Sequence, residues 1–208
     1  PIQWFAKSSG TTNSKSKFIP VSHESLDDCH LSIGKDLLAI YTHQCPQSQL
    51  FDGLSLRLGG SSKINGHHNI SYYGDLSAIM IQNLPFWAEW RSTPSNDIAL
   101  LEDWEEKVEK ISHQVINQNV TSLFGVPSWM LVLIRHVLSI NGNDSISSIW
   151  PNLELFCHGG VSFTPYSESF KKLLPDNCMF LETYNASEGF FAIQDRTGEP
   201  GMLLMLDH

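Results

Sequence analysis

Leu153-Glu154-Leu155-Phe156-Cys157-His158-Gly159-Gly160, Ser167-Glu168-Ser169-Phe170-Lys171-Lys172-Leu173-Leu174 and Met179-Phe180-Leu181-Glu182-Thr183-Tyr184-Asn185-Ala186-Ser187-Glu188-Gly189 form the stretch that decides the fold. The apolar run at 153–157 predicts a strand closed by a glycine pair. Residues 167–174 carry helical spacing, and 179–182 predict a second strand. A strand, a helix and a strand at this separation make a crossover between parallel neighbours. The same alternation continues outward. Toward the N-terminus, 121–124 is a strand and 127–138 a helix with Pro127 in its first turn. Residues 96–118 predict one long charged helix, with Ile98, Leu101, Trp104, Val108 and Ile111 on one stripe. A short strand at 54–58 is closed by Gly59-Gly60, and Ser22 caps a helix running to residue 40. Residues 3–6 and 18–21 are extended on either side of a polar loop. Toward the C-terminus, 190–193 and 202–206 resemble the two strands of a hairpin. The whole pattern is that of an α/β fold with a mostly parallel sheet flanked by helices. In such sheets ligands sit beyond the carboxyl ends of the strands.

Composition narrows the class without naming it. With 41% apolar and 17% charged residues, the chain has the make-up of a packed globular protein. The 22 acidic residues outnumber the 13 basic ones, a net charge of −9, which argues against nucleic acid as a main partner. A small polyanion can still be held locally by backbone amides and one or two cations. Cys29, Cys45, Cys157 and Cys178 are widely spaced, a pattern that suits reduced thiols in the cytoplasm better than a disulfide framework or a zinc site. No leader peptide or membrane span is visible; the greasiest stretch, 129–138, is interrupted by Arg135 and His136. Because the sequence enters and leaves on strand-like segments, a piece of a longer protein is expected.

Two segments carry chemistry. Between the first two strands, the loop from Lys7 to Lys17 crowds hydroxyls and lysines around Gly10. Phosphates need many short donors that approach closely, together with positive charge, and this loop supplies both. It is not a Walker loop, and composition alone leaves open a flexible polar surface loop. In the second segment, a carboxylate such as Glu188 just past a strand can hold a magnesium ion that bridges phosphates. Tyr184 can pack on a purine or ribose, although a strand tyrosine and a surface glutamate would read the same way. Gly159 and Gly160 let backbone approach a flat ring with no Cβ in between. His158-Gly159-Gly160 is also compatible with a hydrolase oxyanion loop, but no G-x-S-x-G nucleophile segment accompanies it. The adjacent His67-His68 pair lacks a metal-ligand pattern, and the other histidines, His30 among them, read as surface or partly buried. The Glu102–Lys110 run predicts a solvated helix face, and Trp87, Trp90 and Trp104 predict core or a helix-packing seam.

Taken in order, Ser8-Ser9-Gly10-Thr11-Thr12 with Lys17, then His158-Gly159-Gly160, then Tyr184-Asn185-Ala186-Ser187-Glu188, resemble the acyl-acid amido synthetases. These form the auxin-responsive promoter family of the adenylate-forming enzymes, here as a partial chain of microbial type. Ser14 stands where the family's loop has glycine, and Ala186 replaces a serine of its Y-x-S-S-E segment. The resemblance spans residues 7–206. It implies that residues 1–208 are part of the large N-terminal adenylation domain, with a further N-terminal stretch and a small C-terminal domain expected elsewhere. It implies an ATP-dependent ligase that activates a carboxylic acid as acyl-AMP and passes it to the amine of an amino acid. A coenzyme A ligase and a non-catalytic nucleotide-binding fragment are the alternatives. By the same resemblance, Ser8, Ser9, Gly10, Thr11, Thr12, Lys17, His158, Gly159, Gly160, Tyr184, Ser187 and Glu188 contact the nucleotide. Lys17 and Glu188 are the catalytic pair, with Glu188 the magnesium ligand. Trp129, Met130 and Tyr73 would line the acid pocket, although Trp129 and Met130 also fit a packed core. Neither the identity of the acid nor the oligomeric state is encoded in these motifs.

Overall fold

The computed structural model describes residues 2–8, 17–60 and 71–207. The chain opens with β1 (Trp4–Ser8) and β2 (Lys17–Val21), which pair antiparallel. Ser22 Oγ then accepts the Ser25 N–H at 3.1 Å and starts a helical segment. Its first turns, Ser25–His30, are π-helical and lead into α1 (Leu31–Gln44). After β3 (Leu54–Leu58) and β4 (Tyr72–Gly74) come the short helices α2 (Leu76–Gln82) and α3 (Phe86–Trp90), then β5 (Ser92–Thr93). There follow α4 (Asn96–Ala99), α5 (Trp104–Val115), β6 (Val120–Gly125), α6 (Pro127–Asn141) and β7 (Leu155–Gly159). The chain ends in α7 (Ser167–Leu173), β8 (Met179–Ala186), β9 (Gly189–Ile193) and β10 (Leu203–Leu204).

A seven-stranded sheet runs in the order β10-β9-β8-β7-β6-β3-β5. It is parallel from β5 through β8 and antiparallel at β9 and β10, so the mostly parallel α/β expectation holds. Side chains alternate between its faces as the pleat requires. On one face Leu56, Leu58, Leu123 and Phe156 pack beneath α5, α6 and α7. On the other, Leu155, Cys157 and Leu181 meet Ile33, Leu37 and Tyr41 of α1. A second, three-stranded sheet, β2-β1-β4, packs Ala6 and Val21 against Leu26 and against Ile79 of α2.

Several sequence expectations are corrected. The long helix expected at 96–118 is two helices, because Asp103 accepts the Glu106 N–H at 2.8 Å and restarts the chain as a new N-terminus. Strand β8 continues past residue 182 to Ala186, since β9 folds back on it and supplies partners up to Ala186↔Gly189. Only Leu203–Leu204 of the expected 202–206 strand pairs with β9. The Glu102–Lys110 face is not solvated throughout. Lys107 is buried, and its ammonium donates to the Gly59 and Gly60 carbonyls, both at 3.1 Å. Trp90 is largely exposed and Trp87 partly so, which places neither in the core.

Trp150 is the largest fully buried side chain, and its Nε1 donates to the Val115 carbonyl at 3.0 Å across the face that holds α5. Replacing it by phenylalanine removes the donor and leaves a gap beside the Val115 carbonyl, which keeps only the Gln118 N–H at 3.1 Å. Trp150→Phe is expected to cost about 2–4 kcal/mol. Urea unfolding should show a lowered midpoint at unchanged slope, and a loss under about 0.5 kcal/mol would contradict this role.

Candidate active site

Strands β3, β6, β7 and β8 all end at the same edge of the main sheet, in register Leu58↔Gly125, Gly125↔His158 and Gly159↔Thr183. That edge collects two of the sequence motifs. Gly159 lies so close to β8 that a Cβ there would sit 2.8 Å from Thr183 Oγ1 and nearer still to the Thr183 carbonyl oxygen. Gly160 has φ +80°, a left-handed conformation open to glycine. The pair therefore turns the chain sharply off the sheet and leaves a flat strip of backbone. Thr183 Oγ1 donates to the His158 carbonyl at 3.1 Å and locks the two strand ends together.

His158 itself points into the core. Its ring stacks on Phe163 at 4.0 Å and lies 5.3 Å from Phe156. Burial pushes its pKa down to about 4, so the ring is neutral, and Nδ1 has no hydrogen-bond partner among the described residues. The backbone of residue 158 borders the glycine strip, while the imidazole supports it from within.

Beyond Tyr184 the hairpin of β8 and β9 tightens to the two-residue turn Ser187-Glu188. The register skips a residue between Tyr184↔Ala192 and Asn185↔Phe190, which makes Phe191 the extra residue of a bulge. Tyr184 and Phe191 thereby stand together on the exposed face, ring centroids 5.2 Å apart, with Tyr184 54% exposed. Glu188 is exposed at the tip, and Ser187 is half-buried beside it. One exposed carboxylate suits a magnesium ion that takes most of its shell from phosphate oxygens and water.

Between these residues, Asn185 turns inward. Its Oδ1 accepts from His30 Nδ1 at 2.9 Å, and its Nδ2 donates to Met80 Sδ at 3.5 Å. With Nδ1 carrying the proton, the second ring nitrogen of His30 is a buried lone pair without a partner among the described residues. Burial lowers the His30 pKa despite the opposing hydrogen bond from Asn185. The ring is fully buried, beyond the surface or partly buried placement expected from sequence.

His30 and Asn185 form one wall of a cavity of about 310 Å³ that extends under α2 and α3. Leu38, Met80, Ile81, Leu84, Trp87 and Phe124 supply apolar walls, and Ser55, Arg57 and Arg91 the polar ones. Sequence reasoning missed this cavity. Two signals were available: Arg57 is a charge placed between Leu56 and Leu58 in a short strand, and His30 sits on the helical stripe of Leu26, Ile33 and Leu37.

The remaining sequence-predicted residues fall elsewhere. Ser8 and Lys17 face one another across the β1–β2 ladder, where the hydroxyl loop begins and ends. Ser9, Gly10, Thr11 and Thr12 lie outside the described residues, as do His67 and His68. Tyr73 belongs to the small sheet and packs between Phe5 and Phe18 at 5.4 and 5.2 Å. Met130 is fully buried in the core beneath the sheet. Trp129 leans on Trp104 at 5.7 Å and borders a separate hollow with Lys107 and Asp75.

A family model described as the GH3 family N-terminal domain matches residues 1–179, most of the chain. No curated protein matches the sequence. Among solved structures the chain is similar to a GH3.15 acyl acid amido synthetase, at TM-score 0.66 and 15% identity over 93% of this chain and 42% of that one. It is similar also to AtGH3.15 acyl acid amido synthetase in complex with 2,4-DB, at TM-score 0.67 and 12% identity with the same coverage. An adenylation domain of Vibrio cholerae, AlmE, in complex with glycyl-adenosine-5'-phosphate, gives TM-score 0.45 and 16% identity over 92% of this chain and 30% of that one. At these identities the likeness speaks to the fold. The chain spans 42% of the length of the GH3.15 structures.

The buried imidazole of His158 makes stability depend on pH in a set direction. The unfolded chain takes up this proton near 6.5 and the folded chain near 4, so the stabilisation is complete above 6.5 and is lost as the pH falls through that window. At about pH 5 the loss from this ring alone is expected to reach about 2 kcal/mol. Urea unfolding at neutral and mildly acidic pH should show the drop in the parent and a smaller one in His158→Gln. Equal drops in both proteins would assign the effect to other groups, His30 first among them.

Proposed function

This chain belongs to the GH3 family, and from that premise we propose that it holds ATP over the carboxyl ends of β7 and β8 and uses it to activate a carboxylic acid as acyl-AMP. The acyl group then passes to the amine of an amino acid. The observation that carries this reading is a juxtaposition. The Gly159-Gly160 strip and the Tyr184–Glu188 segment, a whole helix apart in sequence, end side by side through the register Gly159↔Thr183. One offers bare backbone to a flat ring, and the other offers an aromatic face and a carboxylate.

In this arrangement adenine lies against Gly159 and Gly160, and Tyr184 packs on the nucleotide. Hydroxyls and amides of Ser8, Ser9, Gly10, Thr11 and Thr12 hold the phosphates, and Lys17 offsets their charge. Glu188 would hold a magnesium ion, which would supply positive charge at the phosphates. The body of the acid occupies the cavity that Asn185 and His30 border. A carboxylate oxygen of the acid bonds to the α-phosphorus, the α–β bridging bond breaks, and pyrophosphate leaves. The amine nitrogen then bonds to the acyl carbon, AMP departs with the carbonyl–oxygen bond pair, and the amine proton goes to solvent. Residues of this chain contribute orientation and fixed dipoles, the terms that lower such barriers most. Residues 1–208 form part of the large adenylation domain in this scheme. A cytoplasmic setting is part of the same proposal, on the wide spacing of the four cysteines in the sequence.

Pyrophosphate release with magnesium-ATP and a panel of acids tests the first half-reaction. Glu188→Ala is expected to weaken magnesium-ATP binding about tenfold, ~1.4 kcal/mol, in calorimetry. No nucleotide binding by the parent, with Glu188→Ala indistinguishable from it, would leave a non-catalytic fragment. Product analysis with amino acids and with coenzyme A as acceptors tests the second half, and a thioester in place of an amide would make it a coenzyme A ligase. Residues 1–208 alone are expected to bind nucleotide weakly and turn over poorly. Robust amide synthesis by that segment would refute this.

A further inference from the structure

Arg57 occupies an unusual position. It lies on β3 between Leu56 and Leu58, whose side chains go into the core under α5 and α6. The pleat sends Arg57 to the opposite face, into the 310 Å³ cavity. There its Nε and Nη1 are buried and have no hydrogen-bond partner among the described residues. A guanidinium loses much of its hydration in such a place and regains stability only through an acceptor of opposite charge. Burial lowers its pKa to about 10, with Glu89 opposing the shift, so it keeps its proton at neutral pH. Glu89 does not line the cavity; its carboxylate is exposed and accepts from Asn96 Nδ2 at 2.7 Å.

The cavity's charge is equally informative. Its described lining contains Arg57 and Arg91 and neither aspartate nor glutamate, in a chain whose acidic residues outnumber its basic ones 22 to 13. Arg91 lies over the rings of Phe51 and Trp90, at 6.0 and 5.6 Å, whereas Arg57 Nε and Nη1 have no hydrogen-bond partner among the described residues. An apolar cavity with one convergent, unmet cation is built for a ligand that is apolar along its length and anionic at one point.

We propose that Arg57 is a specificity determinant that binds a second anionic group, a carboxylate, at the far end of the acid, so that the substrate class is dicarboxylic acids with an apolar spacer. The inference rests on the acid-activating reading above for the direction in which the acid lies. The carboxylate to be activated belongs near Asn185 and Tyr184 on β8. Arg57 is on β3, three strands away across β7 and β6 and level with Leu181, four residues before Asn185, so the Cα separation is about 19 Å. One carboxylate cannot serve both places, whereas a diacid spans them. His30 Nε2, a bare lone pair near the Asn185 end, disfavours an anion there unless that anion is turned outward to the nucleotide. The reacting end thus faces the strand edge and the second carboxylate faces Arg57.

The test compares diacids with monoacids of equal length, octanedioate against octanoate and terephthalate against benzoate. Calorimetry without ATP and pyrophosphate release with it are run on the parent, Arg57→Met and Arg57→Lys. At least one diacid is expected to bind about 10- to 100-fold tighter than its monoacid, the range of a charge-assisted pair. Arg57→Met should erase that preference, and a cooperative urea transition at unchanged slope shows that the variant is folded. Arg57→Lys should keep part of it. No diacid preference in the parent, or Arg57→Met weakening both acids alike, overturns the proposal even where acids are activated. Arg57-dependent diacid binding supports the anion subsite whether or not pyrophosphate is released, since residues 1–208 alone are expected to turn over poorly.

Discussion

The hydrogen bond from His30 Nδ1 to Asn185 Oδ1, 2.9 Å long, joins parts of the chain that secondary structure alone would leave separate. His30 closes the π-helical turn that follows the small sheet, and Asn185 lies near the end of β8 in the main sheet. On its other side, Asn185 donates to Met80 of α2, the helix that follows the small sheet's third strand. The Phe190 N–H meets Cys29 Sγ at 3.3 Å and reinforces the same junction. This cluster fixes where the strands bounding the hydroxyl loop stand relative to the strand ends of the main sheet. Any ligand contacted by both must be shaped by it.

The junction also explains the cavity. Toward β7 and β8, α1 covers its face of the sheet with Ile33, Leu37 and Tyr41. Toward β3 the cover passes to α2 and α3, both short, and the space between them and the sheet is not filled. An ordinary α/β sheet would place an apolar residue at position 57 to close the gap. Here a guanidinium stands on the floor instead, and its long side chain and hydration requirements are incompatible with tight packing. On the opposite face Leu56, Leu58 and Leu123 pack into a continuous apolar core. One strand therefore builds a rigid core with one set of alternating residues and a ligand cavity with the other.

Much of the fold was legible in the sequence because its signals are local. Pro127 at the first turn of α6, the glycine pair closing β7 and the apolar runs of β6 and β8 each announce their element within a few residues. The errors arose where a tertiary partner decided the outcome. Asp103 split a continuous helical stripe because one side chain captured one amide. Lys107, within a charged run, was buried by two carbonyls nearly fifty residues earlier, and β8 grew because β9 returned to pair with it. The candidate site divides the same way. Gly159, Gly160, Tyr184 and Glu188 were visible as motifs, since backbone freedom and residue chemistry are written locally. Arg57, His30 and Asn185 were not singled out, because their importance lies in which empty space they share.

That division bears on how charge should be read. A net charge of −9 argues against nucleic acid as a main partner, yet it gives no warning that the cavity lining is cationic. The two facts are compatible because they act on different length scales. Exposed carboxylates on α5 and α7 are screened within about 8–10 Å in physiological salt and set solubility. A guanidinium beneath two helices is shielded from that solvent, so its field is felt chiefly by whatever enters the cavity. An acidic surface would repel a free dianion in bulk, and the lining would hold it once inside. Selectivity in such a protein belongs to the few groups that are removed from water, and Arg57 is the cation among them whose buried nitrogens lack a partner among the described residues.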